Sequence, residues 1–423
     1  MKKLVVIAAI SAVCGGVQGA GFGLYETSAR GNALGGTLVG STKDASANYY
    51  NPANMSETTN YSFLVGATFL NPFCDVKVAG VPQNKMNSGW FADPSIFFTI
   101  PLPFDFTFGW GNYTEYGLGT KYANGWALAG DTRKTTMEQF TFNPNLSYKV
   151  FDWWSVAAGV RMSYITFENW KQPHNGEAFY YSDYGMVLPQ YGNAYHLNSH
   201  LKGDDWDAGY NLATTFKVRD DLSFGVVYRS RIRHNIKGHF DLDGGVDTPL
   251  GRVGQSAELP ASAKLTLPQS ITLGGNWDAT ERWHLGAAVT WTEWSSVEQI
   301  NFKIPNYGYS LPLKWNDVWR FGLGTEYDIT DYLAGRVSYV YDMDPCKTGT
   351  TMLPGGNRHI PGVGLGWKIM PNLRLDVGYN LVVQRDSRRE ITLTSMSGQT
   401  TSHHFSTRNS FAHMASVSVA YEF

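Results

Sequence analysis

Two histidine pairs have spacings that suit metal or proton chemistry: His196 with His200, four residues apart, and the adjacent His403 and His404. A zinc hydrolase would present such a pair as HExxH on a helix, with a glutamate base and a third ligand. Neither pair lies in that frame, and the sequence offers neither an evident third ligand. A serine hydrolase would need Ser, His and Asp gathered at one rim, and no spacing here gathers them. The expectation is a protein that is not an enzyme, with no catalytic residue, no cofactor and no metal. The three cysteines are Cys14, Cys74 and Cys346, too few for a disulfide scaffold. Val13 occupies the position before Cys14 where lipidation requires a small residue. A bridge between Cys74 and Cys346 stays open, because spacing does not reveal whether their Cα atoms come within about 7 Å.

With so little chemistry in its side chains, the chain has to act through shape. Its 423 residues carry 34 Lys+Arg against 36 Asp+Glu, and charged residues make up 17%, below the roughly 25% of an ordinary soluble domain. A net charge of -2 gives no basic footprint for nucleic acid. Glycine (45 residues) and aromatics (14%) dominate instead. Lys2 and Lys3, the apolar run Leu4 to Val13 and then small residues to Ala20 read as a signal peptide over 1–19, with the mature chain starting at Ala20. After it, no apolar run approaches the ~18 to 20 residues of a membrane helix.

What recurs is a period of two. Phe411, His413, Ala415, Val417, Val419, Tyr421 and Phe423 alternate with small or polar residues, as do Leu373 to Val383 and Trp154 to Ile165. Such segments are strands with two unlike faces. Fourteen are placed near Tyr61–Phe73, Trp90–Ile100, Phe104–Tyr113, Thr135–Tyr148, Trp154–Ile165, Trp206–Val218 and Leu222–Ile232. The rest lie near Pro268–Trp277, Trp283–Phe302, Lys314–Tyr327, Tyr332–Tyr341, His359–Lys368, Leu373–Val383 and Ser410–Phe423. Tight turns such as Phe151-Asp152-Trp153 and Met370-Pro371-Asn372 alternate with long connections at Phe167–Asp205, Asp241–Thr266, Asp342–Asn357 and Gln384–Phe405. Short turns at one end, long loops at the other and an even strand count indicate an all-β, 14-stranded antiparallel transmembrane barrel in the outer membrane of a Gram-negative bacterium. Residues 20–60 do not alternate, and a lumen this wide needs filling, so they are placed inside it as an N-terminal hatch, a flexible periplasmic tail being the alternative, with the barrel over 61–423. Aromatics in the loops, Phe179, Tyr180, Tyr181, Tyr184 and Trp126-Ala127-Leu128, either form an external capture groove or pack the loops together.

Ala20-Gly21-Phe22, the Gly-rich stretch to Gly40 and Asn51-Pro52-Ala53 resemble the N-terminal hatch of the FadL family, the outer-membrane long-chain fatty acid transport proteins. Phe108-Gly109-Trp110-Gly111, Tyr116-Gly117-Leu118, Tyr228-Arg229-Ser230, Leu267-Pro268 and Trp291-Thr292-Glu293-Trp294-Ser295 resemble it in order and spacing over almost the whole mature chain. The resemblance implies a monomer that takes up long-chain fatty acids or similar molecules by passive diffusion. Its ligand would pass the hatch residues Ala20, Gly21, Phe22, Asn51, Pro52 and Ala53 and leave through a lateral opening at an inward kink over Phe108–Gly111. Two glycines flanking Trp110 suit a bend; apart from the resemblance, a girdle aromatic between small neighbours is the favoured reading. The resemblance also implies basic contacts to a ligand carboxylate, near Thr166, which is not basic, and near Asn316, with Lys314 two residues away. Arg161, Arg320 and Arg336 are the substitutes, unless they pair with lumen carboxylates such as Glu326 or Asp376. Neutral or aromatic hydrocarbons are therefore an alternative cargo, and a surface adhesin or phage receptor is the alternative from another class. The implied partners are hydrophobic small molecules, outer-membrane lipid and lipopolysaccharide, and the barrel assembly machinery, which reads a terminal aromatic such as Phe423.

Overall fold

A computed structural model of the chain describes residues 21–25, 27–86, 89–124, 126, 128–172, 194–248, 251–305, 307–394 and 400–423. Fourteen strands form the wall: β1 (Ser62–Val78), β2 (Phe91–Pro101), β3 (Phe106–Tyr113), β4 (Lys134–Phe151), β5 (Trp154–Lys171), β6 (Ala194–Arg219) and β7 (Leu222–Arg229). They continue as β8 (Ser270–Thr280), β9 (Trp283–Thr292), β10 (Val318–Asp328), β11 (Leu333–Asp342), β12 (Arg358–Met370), β13 (Leu373–Gln384) and β14 (Thr400–Glu422). Each pairs antiparallel with the next, and β14 returns to β1 in the register Ser62↔Glu422, closing the sheet. Closure joins the first strand to the last, so the ring has no end strand left unpaired, the condition for strands to cross lipid.

The alternation has the cause inferred from sequence. On β1, Phe63, Val65 and Phe69 are exposed while Leu64, Thr68 and Leu70 are buried: one face meets lipid and the other the lumen. At the short-turn end Phe151, Trp153, Trp154 and Phe216 stack on the outside, with Trp153 and Trp154 centroids 6.2 Å apart. The strands overrun the wall at the loop end. Asp241–Thr266, expected as a connection, belongs to a hairpin of Ile232–Thr248 with Gly251–Leu267, and much of Gln384–Phe405 forms Ser387–Thr394 paired with β14. Trp283–Phe302 is not one strand: β9 stops at Thr292, Trp294–Ser296 makes a 3-10 turn, and Gln299–Ile304 leaves to pair with Tyr307–Pro312 and the long hairpin.

Residues 27–60 lie inside the ring, touching strands on all its sides. Ser28 caps a short helix (Ala29–Ala33), its hydroxyl accepting from the Gly31 amide at 3.2 Å. A second (Ala47–Tyr50) leads to Asn51, which caps the 3-10 turn Pro52–Glu57. The Asn32 amide donates to Thr68 Oγ1 on β1 (2.9 Å) and the Asn380 amide on β13 donates to Asn32 O (3.0 Å). The Asn276 carboxamide on β8 accepts from Gly40 and Ser41 at 2.9 Å. A charge network adds to these contacts. Arg30 binds Glu326 of β10 (2.9 Å), Asp44 binds Arg374 of β13, and Arg336 of β11 binds both Glu326 and Asp376, the latter at 2.7 Å. Burial by itself would raise the Asp44 carboxyl, but Arg374 and Arg30, with a hydrogen bond from Ser46, hold it down at about 2. It stays ionised at neutral pH, and its contribution to holding the segment fades only as pH falls from about 4 toward 2.

The Cβ-free faces of the wall make this fit possible. A Cβ at Gly225 would lie 2.2 Å from Val39 O, and one at Gly324 would lie 2.4 Å from Leu34 O. Glycine spares these contacts, so the inner segment's backbone lies directly on the strands.

Candidate functional site: a break in the wall beside the N-terminal segment

The interruption of pairing expected at Phe108–Gly111 is found beyond that stretch. β3 pairs with β2 from Pro101↔Thr107 to Ile96↔Asn112 and with β4 from Phe106↔Tyr148 to Tyr113↔Thr141, with no shift of register. No kink interrupts Phe108, Gly109, Trp110 and Gly111. Trp110 faces outward, stacked on Phe98 at 6.4 Å. Gly109 has a different purpose from bending: a Cβ there would strike Met55 Sδ at 2.2 Å and Asn48 Nδ2 at 2.3 Å.

After Asn112 the ladder between β2 and β3 ends. The chain resumes as Gly117–Lys121, paired with β4 from Gly117↔Glu138. Four steps from Tyr113 to Gly117 face three from Thr141 to Glu138, so Thr114–Tyr116 holds one extra residue, a bulge that turns the chain out of the sheet. It turns inward, because Glu115 is buried there. The Glu115 amide donates to Gln139 Oε1 at 3.0 Å, and its carboxylate accepts from Arg161 at 2.5 Å and Thr141 Oγ1 at 2.9 Å, with Arg229 Nε 3.4 Å away.

The free edge so created takes up the N-terminal segment. Gly23 and Tyr116 form an antiparallel bridge; the Leu24 amide donates to Glu115 O (2.7 Å) and the Gly117 amide to Phe22 O (2.8 Å). Gly21 has φ 59, where a side chain is disfavoured, and a Cβ there would lie 2.9 Å from the Trp294 ring. The turn delivers Phe22, 3% exposed, edge-on to Trp294 (4.9 Å) and Tyr116 (5.9 Å) and tilted against Trp315 (5.4 Å). These rings belong to a large apolar cluster filling the loop-end half of the lumen, with Ile165, Phe167, Ile232 and Leu267 on its walls. Trp294 is wholly buried, and among the described residues its indole N–H has no partner.

The other expected residues are dispersed. Ala20 lies outside the described residues. Asn51 is a tether: its amide donates to Val39 O (2.7 Å) and Thr215 Oγ1 (2.8 Å), and its carbonyl accepts from Ala53 N (3.0 Å), with Pro52 starting the turn between them. Arg161, 1% exposed, is sealed by Glu115 and by Ser230 O (2.8 Å). Arg336 is taken by Glu326 and Asp376. Arg320 lies 4.5 Å over the Tyr25 ring and donates to Gly35 O at 3.3 Å, on a cavity of about 50 Å³ shared with Tyr49, Glu115 and Arg229. Lys314, with φ 48, is exposed between the buried Leu313 and Trp315. Thr166 shares the outer face of β5 with Tyr164; the lumen side is Ile165 and Phe167. Of the loop aromatics, Trp126 stacks on Tyr122 at 4.1 Å within a buried loop cluster that includes Leu128, whereas Ala127, Phe179, Tyr180, Tyr181 and Tyr184 lie outside the described residues. His200 stacks on Trp170 at 3.7 Å. Sequence reasoning missed Glu115, Arg229 and Trp315; the available sign was a lone acid, Glu115, interrupting an alternating strand.

A family model described as "Outer membrane protein transport protein (OMPP1/FadL/TodX)" matches residues 10–423. The chain belongs to this family. It is thus an outer-membrane transport barrel and not an enzyme. A "Long-chain fatty acid transport protein" of Escherichia coli O6:H1 is 23% identical over 412 residues, covering 89% of this chain and 90% of the relative. A "47 kDa outer membrane protein" of Pasteurella multocida is 26% identical over 395 residues, with 89% and 90% covered. Among solved structures, a Pseudomonas aeruginosa FadL homologue superposes with a TM-score of 0.81 at 22% identity, and the P. putida toluene transporter TodX with 0.73 at 18%. Each covers 95% of this chain and 99% of its own. The two superpositions bear on the fold, which they share with this family member.

Cys74 and Cys346 are free and buried in different clusters, Cys74 beside Ser410 and Cys346 at the edge of the large apolar one. Burial pushes the Cys346 thiol well above its ordinary range, so it is a poor nucleophile. Maleimide is expected to label Cys74 and Cys346 of the denatured protein with or without prior reduction; labels appearing at these positions only after reduction would contradict free thiols.

Proposed function

We propose that this barrel takes up hydrophobic molecules, long-chain fatty acids or similar, by passive diffusion through the apolar cluster around Phe22 and out sideways between β2 and β3. The observation that carries the reading is the bulge at Thr114–Tyr116, where the ladder ends and the Phe22–Leu24 segment is the closure. An apolar ligand leaving there enters lipid without exposing its surface to water, which would cost roughly 25 cal/mol per Å². The straight path is obstructed by residues 27–60, acting as a hatch tied to the wall by the Arg30–Glu326 and Asp44–Arg374 pairs. In this reading residues 1–19 are removed on export, Ala20 begins the hatch, and the barrel works as a monomer set in lipopolysaccharide and lipid.

Neutral or aromatic hydrocarbons form a second cargo class, favoured by the pairing of Arg161 and Arg336 with internal carboxylates. The last strand ends at Glu422, and Phe423, 72% exposed, still donates its amide to Tyr61 O at 2.9 Å. Uptake of a radiolabelled hydrophobe should be present in cells producing the protein and fall to background in a deletion strain. Equal uptake in both would leave only a surface role such as adhesion or phage reception.

A further inference from the structure

We infer that Glu115 sets the charge preference of the passage, holding Arg161 and Arg229 as an internal carboxylate so that neutral hydrophobic molecules are selected over anionic ones. The inference rests on the uptake reading and, of its two cargo classes, commits to the neutral one over the fatty acid carboxylates. Along the inner face of β5, Phe167 and Ile165 line the apolar cluster, Ser163 follows, and Arg161 comes next, at its floor. A ligand descending that face with a carboxylate would find the guanidinium already occupied. Arg161 gives Nε and Nη2 to one oxygen of Glu115 and Nη1 to Ser230 O. Arg229 gives its Nη2 to Tyr49 O and lies over the Tyr49 ring at 4.7 Å, with Nε facing the other Glu115 oxygen. A charge-assisted pair in so dry a place is not surrendered to a ligand unless the ligand's contacts replace it in full.

The cluster around Phe22 is built of aromatic and aliphatic side chains, with the Arg161–Glu115 pair beneath it. For polar contact it offers the Trp294 N–H, which has no partner among the described residues and can donate to a hydroxyl oxygen. A long-chain alcohol is therefore the fitting neutral probe, matched to a carboxylate of equal length. Replacing Glu115 by Gln keeps the shape and the acceptor that Thr141 and Arg161 share, while removing the charge that neutralises Arg161 and Arg229, so that they can attract a ligand anion.

The test is equilibrium binding of hexadecanol and hexadecanoate to the purified full-length barrel, at a pH where the free acid is ionised. The parent should favour the alcohol. Glu115→Gln should shift the ratio of carboxylate to alcohol affinity by about tenfold or more toward the carboxylate, the scale of one charge-assisted hydrogen bond gained. Glu115→Gln with Arg161→Gln should return the ratio toward the parent's, separating charge selection from a loosened wall; heat-modifiable migration checks that each variant is folded. A parent that favours the carboxylate, or a ratio unmoved in folded Glu115→Gln, would overturn the selector role while leaving uptake standing. Failure of every form to bind either ligand would overturn the uptake reading and the selector with it.

Discussion

Valine at Gly225 together with valine at Gly324 should make the outer membrane permeable to large hydrophilic antibiotics and reduce hydrophobe uptake to background. Both positions face the inner segment, and both would place a Cβ against backbone oxygen, Val39 O at 2.2 Å and Leu34 O at 2.4 Å. Backbone cannot rotate out of the way as a side chain can. Overpacking of this kind costs roughly 1–3 kcal/mol per site, against a segment that is retained by hydrogen bonds and by buried ion pairs whose net worth is small once desolvation is counted. The wall, closed strand to strand, is stabilised independently and should still migrate as a folded barrel. Gly335→Val is the matched control. Its Cβ would meet only the tip of Ile329, at 3.3 Å on the outer face, and permeability should not change. Antibiotic exclusion that survives the double substitution in a folded barrel would mean that the segment does not close the lumen.

The wall was legible in the sequence because lipid on one side and a packed lumen on the other impose a period of two on every spanning strand. All fourteen expected positions correspond to strands of the ring. The same rule was silent beyond the membrane: Ile232–Leu267 has polar residues such as Arg233, Asn235 and Lys237 on its outer face and continues as a hairpin where a loop was expected. Trp283–Phe302 was read through because Trp294 sits in phase with the alternation, though it belongs to a turn held by contacts with Phe22 and Trp315.

The site was legible only in outline. Gly109 and Gly111 were read as a bend, yet glycine serves equally where another chain passes close, and the sequence does not say that Met55 and Asn48 lie against Gly109. The true break is caused by residues remote in sequence. Glu115 turns inward because Arg161, 46 residues later, and Arg229 wait there, and no local pattern carries that pairing. The same remoteness hid the fate of Arg161 and Arg336: facing the lumen was readable from β5 and β11, but being neutralised there depended on which strands close around them.

The lateral route requires the Phe22–Leu24 segment to leave the bulge, and a reversible lock measures this most directly. Gly23 and Tyr116 form a bridge in which the flanking amides, not their own, make the hydrogen bonds. In such a pair the Cα atoms lie about 4.5 Å apart, within the ~4.4 to 6.8 Å that a disulfide spans. Cysteines at both positions, in a protein whose Cys74 and Cys346 are replaced by alanine, should bridge on oxidation without disturbing the wall. Uptake of a labelled hydrophobe should fall to background in the oxidised form and return when the same cells are treated with a reductant. Undiminished uptake with the bridge shown by mass to be closed would contradict exit at Thr114–Tyr116 and point to a path that leaves this segment in place.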